Sequence, residues 1–378
     1  MDSKTKEYMK KGERILIFSG LIVAGLYFLF LGLVESGPFL IPLLTAMVMA
    51  LLMLPVNNRL EAWGFSRGWA TLASTLILLI MAAGFVVVLF FQVRVFAEDW
   101  EKIQQQMTGR LQQTTQYLIR TTPLEEHHVN GFLPQEQQEQ QEPEEKEEED
   151  DSQSSSGIGK QALSVVQALL SFLVDFIVTF VYVFLFIYFR DHFKGFILRL
   201  FPREKRDEVA TIISRTASVS RGYMAGRLLL MISLTALYYT GLAITGLDNA
   251  FFISLLAAAL SIIPNVGNIL AYILAVFFSL ITNDGGGEFL GITITFIVAQ
   301  FVDSYILQPI VLGGKVDVHP FFIIVTVILG WQVWGVMGMV LAIPLFGMIS
   351  VICRHVPFLN PFGYLFSNKA IPEPDEQE

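Results

Sequence analysis

Two carboxylates stand in sequence that is otherwise apolar. Asp175 lies inside SFLVDFIVTFVYVFLF, and Asp303 lies late in the run that begins at Phe289. A charged side chain at membrane depth is costly, so each is a candidate for carrying a proton or a cation. Asp175 has no basic neighbour in sequence, and it reads either as such a relay or as a polar contact between helices. Asp303 is followed by Ser304, Tyr305, Gln308 and Pro309, a polar stripe in an apolar stretch.

A second kind of chemistry is offered where apolar runs are interrupted. Leu260 to Ala275 reads LSIIPNVGNILAYILA. Pro264 has no N–H and Gly267 loosens the helix, so nearby backbone groups need partners from protein, water or cargo. Asn265 and Asn268 add neutral donors and acceptors, which suits a small polar solute. They could equally bond the freed backbone and bind nothing. A second interruption, GWQVWGVMG from Gly330 to Gly338, supplies Trp331 and Trp334 as aromatic walls and Gln332 as an amide. Its glycines include Gly335 and Gly338. His319, just before Pro320, reads as a pH-sensitive gate or as a helix cap.

The elements that position these residues are membrane helices. The chain is 53% hydrophobic and only 16% charged, with a mean hydropathy of +0.57. Soluble chains carry about a quarter charged residues. The expected fold is an all-α polytopic membrane protein with about eight hydrophobic segments. They are Ile15 to Val34, Phe39 to Leu54, Trp69 to Val93, Gln161 to Phe189, Leu228 to Gly246, Phe251 to Ile281, Phe289 to Leu307, and Pro320 to Ile352. The N-terminal segment resembles a signal sequence, but it is long and other spans follow soon, so it reads as an uncleaved first span.

Net charge is uninformative about partners. The tract Pro134 to Asp151 holds ten acidic residues and one lysine, which accounts for the formal −9. Nothing here suggests a nucleic-acid partner. No H-E-x-x-H, G-x-S-x-G or P-loop pattern occurs, so neither an enzyme nor a nucleotide-driven pump is expected, and no cofactor or metal. The single cysteine, Cys353, reads as a small packed residue.

Lys and Arg cluster at the N-terminus and between Arg190 and Arg227, while the loop Glu35 to Pro38 has neither. The basic segments belong in the cytoplasm, which places both termini there. The organisation expected is a three-span region over 1–93, then an extracytoplasmic amphipathic helix with an acidic disordered tract over 94–160. A fourth span and a basic cytoplasmic helix follow over 161–227. A transport core occupies 228–353 and a cytoplasmic tail 354–378.

Two segments are too long. Phe251 to Ile281 would be about 46 Å as a straight helix, against a hydrocarbon core of ~30 Å. Pro320 to Ile352 has the same excess. Folded at their breaks, both become re-entrant hairpins entering from opposite faces, an arrangement that recurs in secondary transporters. The alternative is two long, tilted or kinked through-spans.

The spacing of Ile263, Pro264 and Gly267, then Asp303, Pro309, Gly314, Lys315, His319, Pro320, Gly335, Gly338, Ala342 and Pro344, resembles the autoinducer-2 exporter-like permeases, the PerM family. Asn265 and Asn268 stand where the family usually has an aromatic residue and a second proline. The resemblance implies a homo-oligomeric inner-membrane transporter in the lipid bilayer. Some relatives export a signalling furanone, and others are similar to sodium/proton antiporters. Three readings follow: an exporter of a small polar solute or signalling molecule of the autoinducer type, a Na+(Li+)/H+ antiporter using Asp175 and Asp303, and a non-transporting scaffold.

Overall fold

The computed structural model describes residues 3–98, 152–247, 249–263, 266–282, 287–315 and 317–368. Every regular element among them is helical. The protein is an all-α, multi-pass membrane protein, and among the described residues seven helices are long and apolar enough to cross a bilayer.

The first group is α1 (Ser3–Glu35), α2 (Gly37–Ala62), α3 (Arg67–Glu98) and α4 (Ser152–Tyr188). Most of the region expected to form an external amphipathic helix and an acidic tract lies outside the described residues. Small side chains let α2 and α4 approach: Ala46, Ala50 and Met53 close on Val183 and Ile187. In a bilayer, such tight packing is what holds helices together, because lipid is as apolar as the side chains. The ends of α2 and α4 share one side. There Arg190 donates to Glu61 at 2.6 Å, and Arg67 pairs with Asp191 at 2.8 Å.

After the short helix α5 (Arg190–Arg199) comes α6 (Arg206–Ile244). The sequence suggests two elements here, a surface helix and a span starting at Leu228. The structure has one unbroken 39-residue helix. Gly222 and Gly226 do not interrupt it. They face Lys315 and Val311–Leu312, so their missing side chains serve close packing rather than a bend.

The long apolar runs fold back on themselves. The first becomes α7 (Ala250–Leu260) and α8 (Val266–Thr282). Phe252 and Phe278 would stand ~39 Å apart in a straight helix; their rings meet at 6.0 Å. The second, α11 (Pro320–His355), is interrupted at Trp334 and Gly335, where Gly335 has φ of 59°. Phe322 and Phe346 would be ~36 Å apart if it were straight, and their rings stack at 6.2 Å. Both runs are therefore helical hairpins, not kinked through-spans.

The hairpins attach at opposite ends of α6. Between them run α9 (Gly287–Val302), a π-helical turn at Asp303–Leu307, and α10 (Gln308–Leu312). This segment is antiparallel to α6: Gly291 meets Thr245, Gly241 meets Thr295, and Gly226 meets Leu312. The base of the first hairpin packs on the C-terminal end of α6, where Leu234, Tyr238, Leu242, Leu247, Ala250 and Ile253 share one core. The base of the second lies at the basic N-terminal end, where Arg215 contacts His355 at 2.9 Å. The inverted arrangement is thus written in contacts, without reference to a membrane. A last short helix, α12 (Asn360–Phe366), closes over the second hairpin.

Candidate functional site

The tip of the first hairpin is polar, and its neighbours explain where it sits. α8 runs antiparallel along α9, with Ser279 donating to Glu288 at 3.3 Å and Tyr272 against Thr293 at 3.0 Å. This register carries Asn268 to Gln300, whose amide oxygen accepts its Nδ2 hydrogen bond. Gln300 Nε2 then donates to Ser304 Oγ at 2.9 Å. Gly267 makes the tip possible: a Cβ there would lie 1.8 Å from the Leu260 carbonyl oxygen. Pro264 and Asn265 lie outside the described residues.

One residue before Ser304 stands Asp303, only 2% exposed. Its Oδ2 accepts from Gln308 Nε2 at 2.8 Å, while its Oδ1 is buried with no partner among the described residues. The Tyr238 hydroxyl is also buried and unpartnered, and lies within Coulombic reach of Asp303. The backbone explains the setting. Pro309 cannot donate to the carbonyl four residues back, and the turn before it widens, so that Gln308 N–H bonds the Asp303 carbonyl. Single π turns of this kind often mark functional sites.

Asn268, Gln300 and Ser304 form a polar seam in apolar surroundings, and the Asp303–Gln308 pair adjoins it in sequence at Ser304. Hydrogen-bonding groups are available along it for a polar solute, and one carboxylate oxygen is free for a proton or a cation. Among the described residues no three His, Cys, Asp or Glu side chains gather as a metal site would require.

The other sequence candidates are scattered. Asp175 is exposed on α4, which packs on α2 and α3, so the structure does not bring it to Asp303. Gln332, Gly335 and Gly338 lie at the second tip, which is bound elsewhere. Trp334 Nε1 donates to the Leu33 carbonyl at 2.9 Å, and its ring lies against Gly37. The tip thus rests on the elbow between α1 and α2. His319 is at the base instead, where its Nδ1 caps α11 by accepting from Phe321 N–H at 3.3 Å. Gln300, Tyr238 and the Trp334 tether were not singled out from sequence. Gln300 had a readable signal, one helical turn before Asp303, whereas the other two depend on long-range packing.

The second hairpin has its polar groups at the base. Asp317 accepts from Arg354 Nη1 at 2.6 Å, from Ser367 Oγ at 3.2 Å and from Asn368 N–H at 3.2 Å. Burial pushes the Asp317 carboxyl up, but the Arg354 hydrogen bond and charge, with Asn368 and Ser367, outweigh it and hold its pKa below the usual carboxylate value. Phe322, Phe346 and Phe366 pack beside this knot, tying α12 to both arms.

Comparison with known proteins fits this architecture. A family model described as AI-2E family transporter matches residues 16–358. PerM of Escherichia coli K12, named as a permease, is 25% identical over 342 residues, covering 88% of this chain and 90% of PerM. YueF of Bacillus subtilis, named as a transport protein, is 26% identical over 164 residues, 43% of this chain and 44% of YueF. A Mycobacterium tuberculosis transport protein, MT0215, is 26% identical over 168 residues, 44% of this chain and 46% of its own length. The chain thus spans less than half the length of the last two.

Proposed function

The chain belongs to the AI-2E transporter family, and from that premise we propose that it is a secondary transporter exporting a small polar solute, of the autoinducer signalling type. The observation that carries this reading is the seam from Asn268 through Gln300 to Ser304, followed in the chain by the buried Asp303 and its Gln308 partner. Polar side chains in a membrane interior are expensive and are found where a pathway needs them. The hairpin supplies what a pathway also needs, an interrupted backbone at depth whose groups can bond cargo.

The proposed placement is the inner membrane, with both termini cytoplasmic. The first hairpin then enters from outside and the second from the cytoplasm. Each closes one approach to the seam, and movement of one at a time gives alternating access. Export is the direction implied by the family resemblance. Asp175, exposed amid lipid-facing residues, supports assembly as a homo-oligomer in which a neighbouring subunit covers it.

Metabolites of cells with and without the protein test the reading. A polar solute should accumulate in cells lacking it, and Asn268→Ala with Gln300→Ala should reproduce that accumulation. Unchanged efflux by this double variant removes the seam from the pathway. For topology, cysteines placed at Asn283 and at Lys315 should label from opposite sides; labelling from one side rejects the inverted placement.

A second reading, monovalent cation/proton antiport, is favoured by the half-free carboxylate of Asp303. In proteoliposomes it requires that sodium collapse a pH gradient and that Asp303→Asn abolish the response. An exporter without this coupling shows neither.

A further inference from the structure

Away from the seam, the basic half of α6 has a face on which several buried polar atoms lack partners among the described residues. Thr216, Ser220, Tyr223 and Arg227 recur at helical spacing and form one stripe. Arg227 is only 8% exposed, its Nε is buried without a hydrogen bond, and among the described residues no carboxylate pairs with it. The hydroxyls of Thr216 and Ser220 are likewise buried and unbonded. Four other hydroxyls of α6 are satisfied within the helix. Thr211, Ser233, Thr235 and Thr240 each bond the carbonyl four residues back. Thr216 and Ser220 leave that bond unmade although their hydroxyls are buried.

The stripe faces a closed interface. Tyr223 and Met224 form one buried cluster with Val48 of α2 and with Leu341 and Met348 of α11. On α2, Thr45 has another buried, unpartnered hydroxyl one turn before Val48. Helical side chains lean toward the N-terminus, so Arg227 leans over Tyr223 and toward Ser220. Tyr223 lies within Coulombic reach of it. A guanidinium has five donors and no acceptor, and hydroxyls can donate. Burying an unpaired cation is far costlier than burying a hydroxyl. A counter-charge drawn from outside the chain removes that cost.

We infer that Arg227, Ser220 and Thr216 of α6 form an anion site, between α6, α2 and the second hairpin, that takes a phosphate-type oxyanion. The group arrives from the basic end of α6, where Arg215 and Arg221 stand. Two sources share this chemistry: the phosphodiester of an anionic lipid and a free anion. The site is separate from the seam, and its test reads binding without transport, so either proposal can fail alone.

The whole protein is placed in nanodiscs of neutral phosphatidylcholine, and thermal unfolding is followed as inorganic phosphate is added. A parallel series replaces phosphatidylcholine stepwise with phosphatidylglycerol. The native chain should gain several degrees in Tm in at least one series, and Arg227→Gln should gain none. A response to phosphatidylglycerol alone assigns the site to lipid; a response to phosphate assigns it to a free anion. Arg227→Lys should keep part of the response, and Ser220→Ala should raise the midpoint concentration several-fold. These two milder variants carry the test if Arg227→Gln does not fold. Equal shifts in native and Arg227 variants, or no shift in either series, overturn the site.

Discussion

The two hairpins solve the same length problem with opposite distributions of polarity. The first has an apolar base, sunk among Tyr238, Leu242, Ile292 and Phe296, and a polar tip at Asn268. The second has an ionic base, knotted by Asp317 and Arg354, and an aromatic tip held by a single Trp334 hydrogen bond. A polar tip needs partners, and Asn268 Nδ2 finds one in Gln300, which in turn donates to Ser304. An ionic knot is cheaper near an aqueous face, where Asp317 and Arg354 stay partly exposed. The contrast suits the first tip to meeting cargo and the second to acting as a gate that is firm at its root and light at its end.

The largest disturbance should come from the feature the hairpins share. In the second, Gly330 and Gly338 bring the arms so close that a Cβ on Gly338 would lie 1.9 Å from the Gly330 carbonyl oxygen. Gly338→Ala and Gly267→Ala should each destabilise by about 3 kcal/mol through overpacking. Thermal unfolding in detergent measures this; an unchanged Tm for either would mean that its arms do not touch.

Next in size is the ionic base, which has no counterpart in the first hairpin. Arg354→Ala should cost about 1–2 kcal/mol, reduced from the value for a fully buried pair because both side chains are partly exposed. The pH dependence has a definite sign. The folded Asp317 pKa is depressed, so its contribution is complete above the unfolded value of about 3.9 and fades as pH falls through the folded value. Asp317→Asn should flatten the stability curve in that acid window. A native curve that is already flat there would break the assignment.

Asn268→Ala should cost only about 1 kcal/mol of stability, the worth of one hydrogen bond, yet lower efflux about tenfold or more. If efflux and stability fall together in proportion, the first tip is structural and the contrast fails. The smallest effect belongs to the second tip. Trp334→Phe should lose about 1 kcal/mol or less, because the ring is kept and only the bond to Leu33 goes. A larger loss would show that this tip is anchored as firmly as its base.

Both folds-back were legible in part: runs of 31 and 33 residues exceed a bilayer and each carries its own break, but a tilted or kinked through-span meets the same arithmetic. The unbroken length of α6 was less so. The sequence divides it into a basic helix and a span from Leu228, and only the approach of Lys315 and Leu312 shows the use of Gly222 and Gly226. The candidate site was legible in part. Asp303 and Gln308 are conspicuous in an apolar run, and Asn268 adjoins the break. Their joining through Gln300 was not, because it depends on the register between α8 and α9. Asp175 was equally conspicuous, yet it stands exposed on a different group of helices.

Sequence alone determined that this chain lives in a membrane, roughly where its helices lie and that two of its apolar runs are too long to cross it straight. Those are matters of hydrophobic length and of backbone groups left without donors, and both are local. Which polar residues meet, which hairpin carries its charge at the root, and that Arg227 is buried with no carboxylate partner among the described residues were decided by tertiary packing alone. Contacts between residues far apart in sequence depend on helix register and crossing, and no local pattern encodes them.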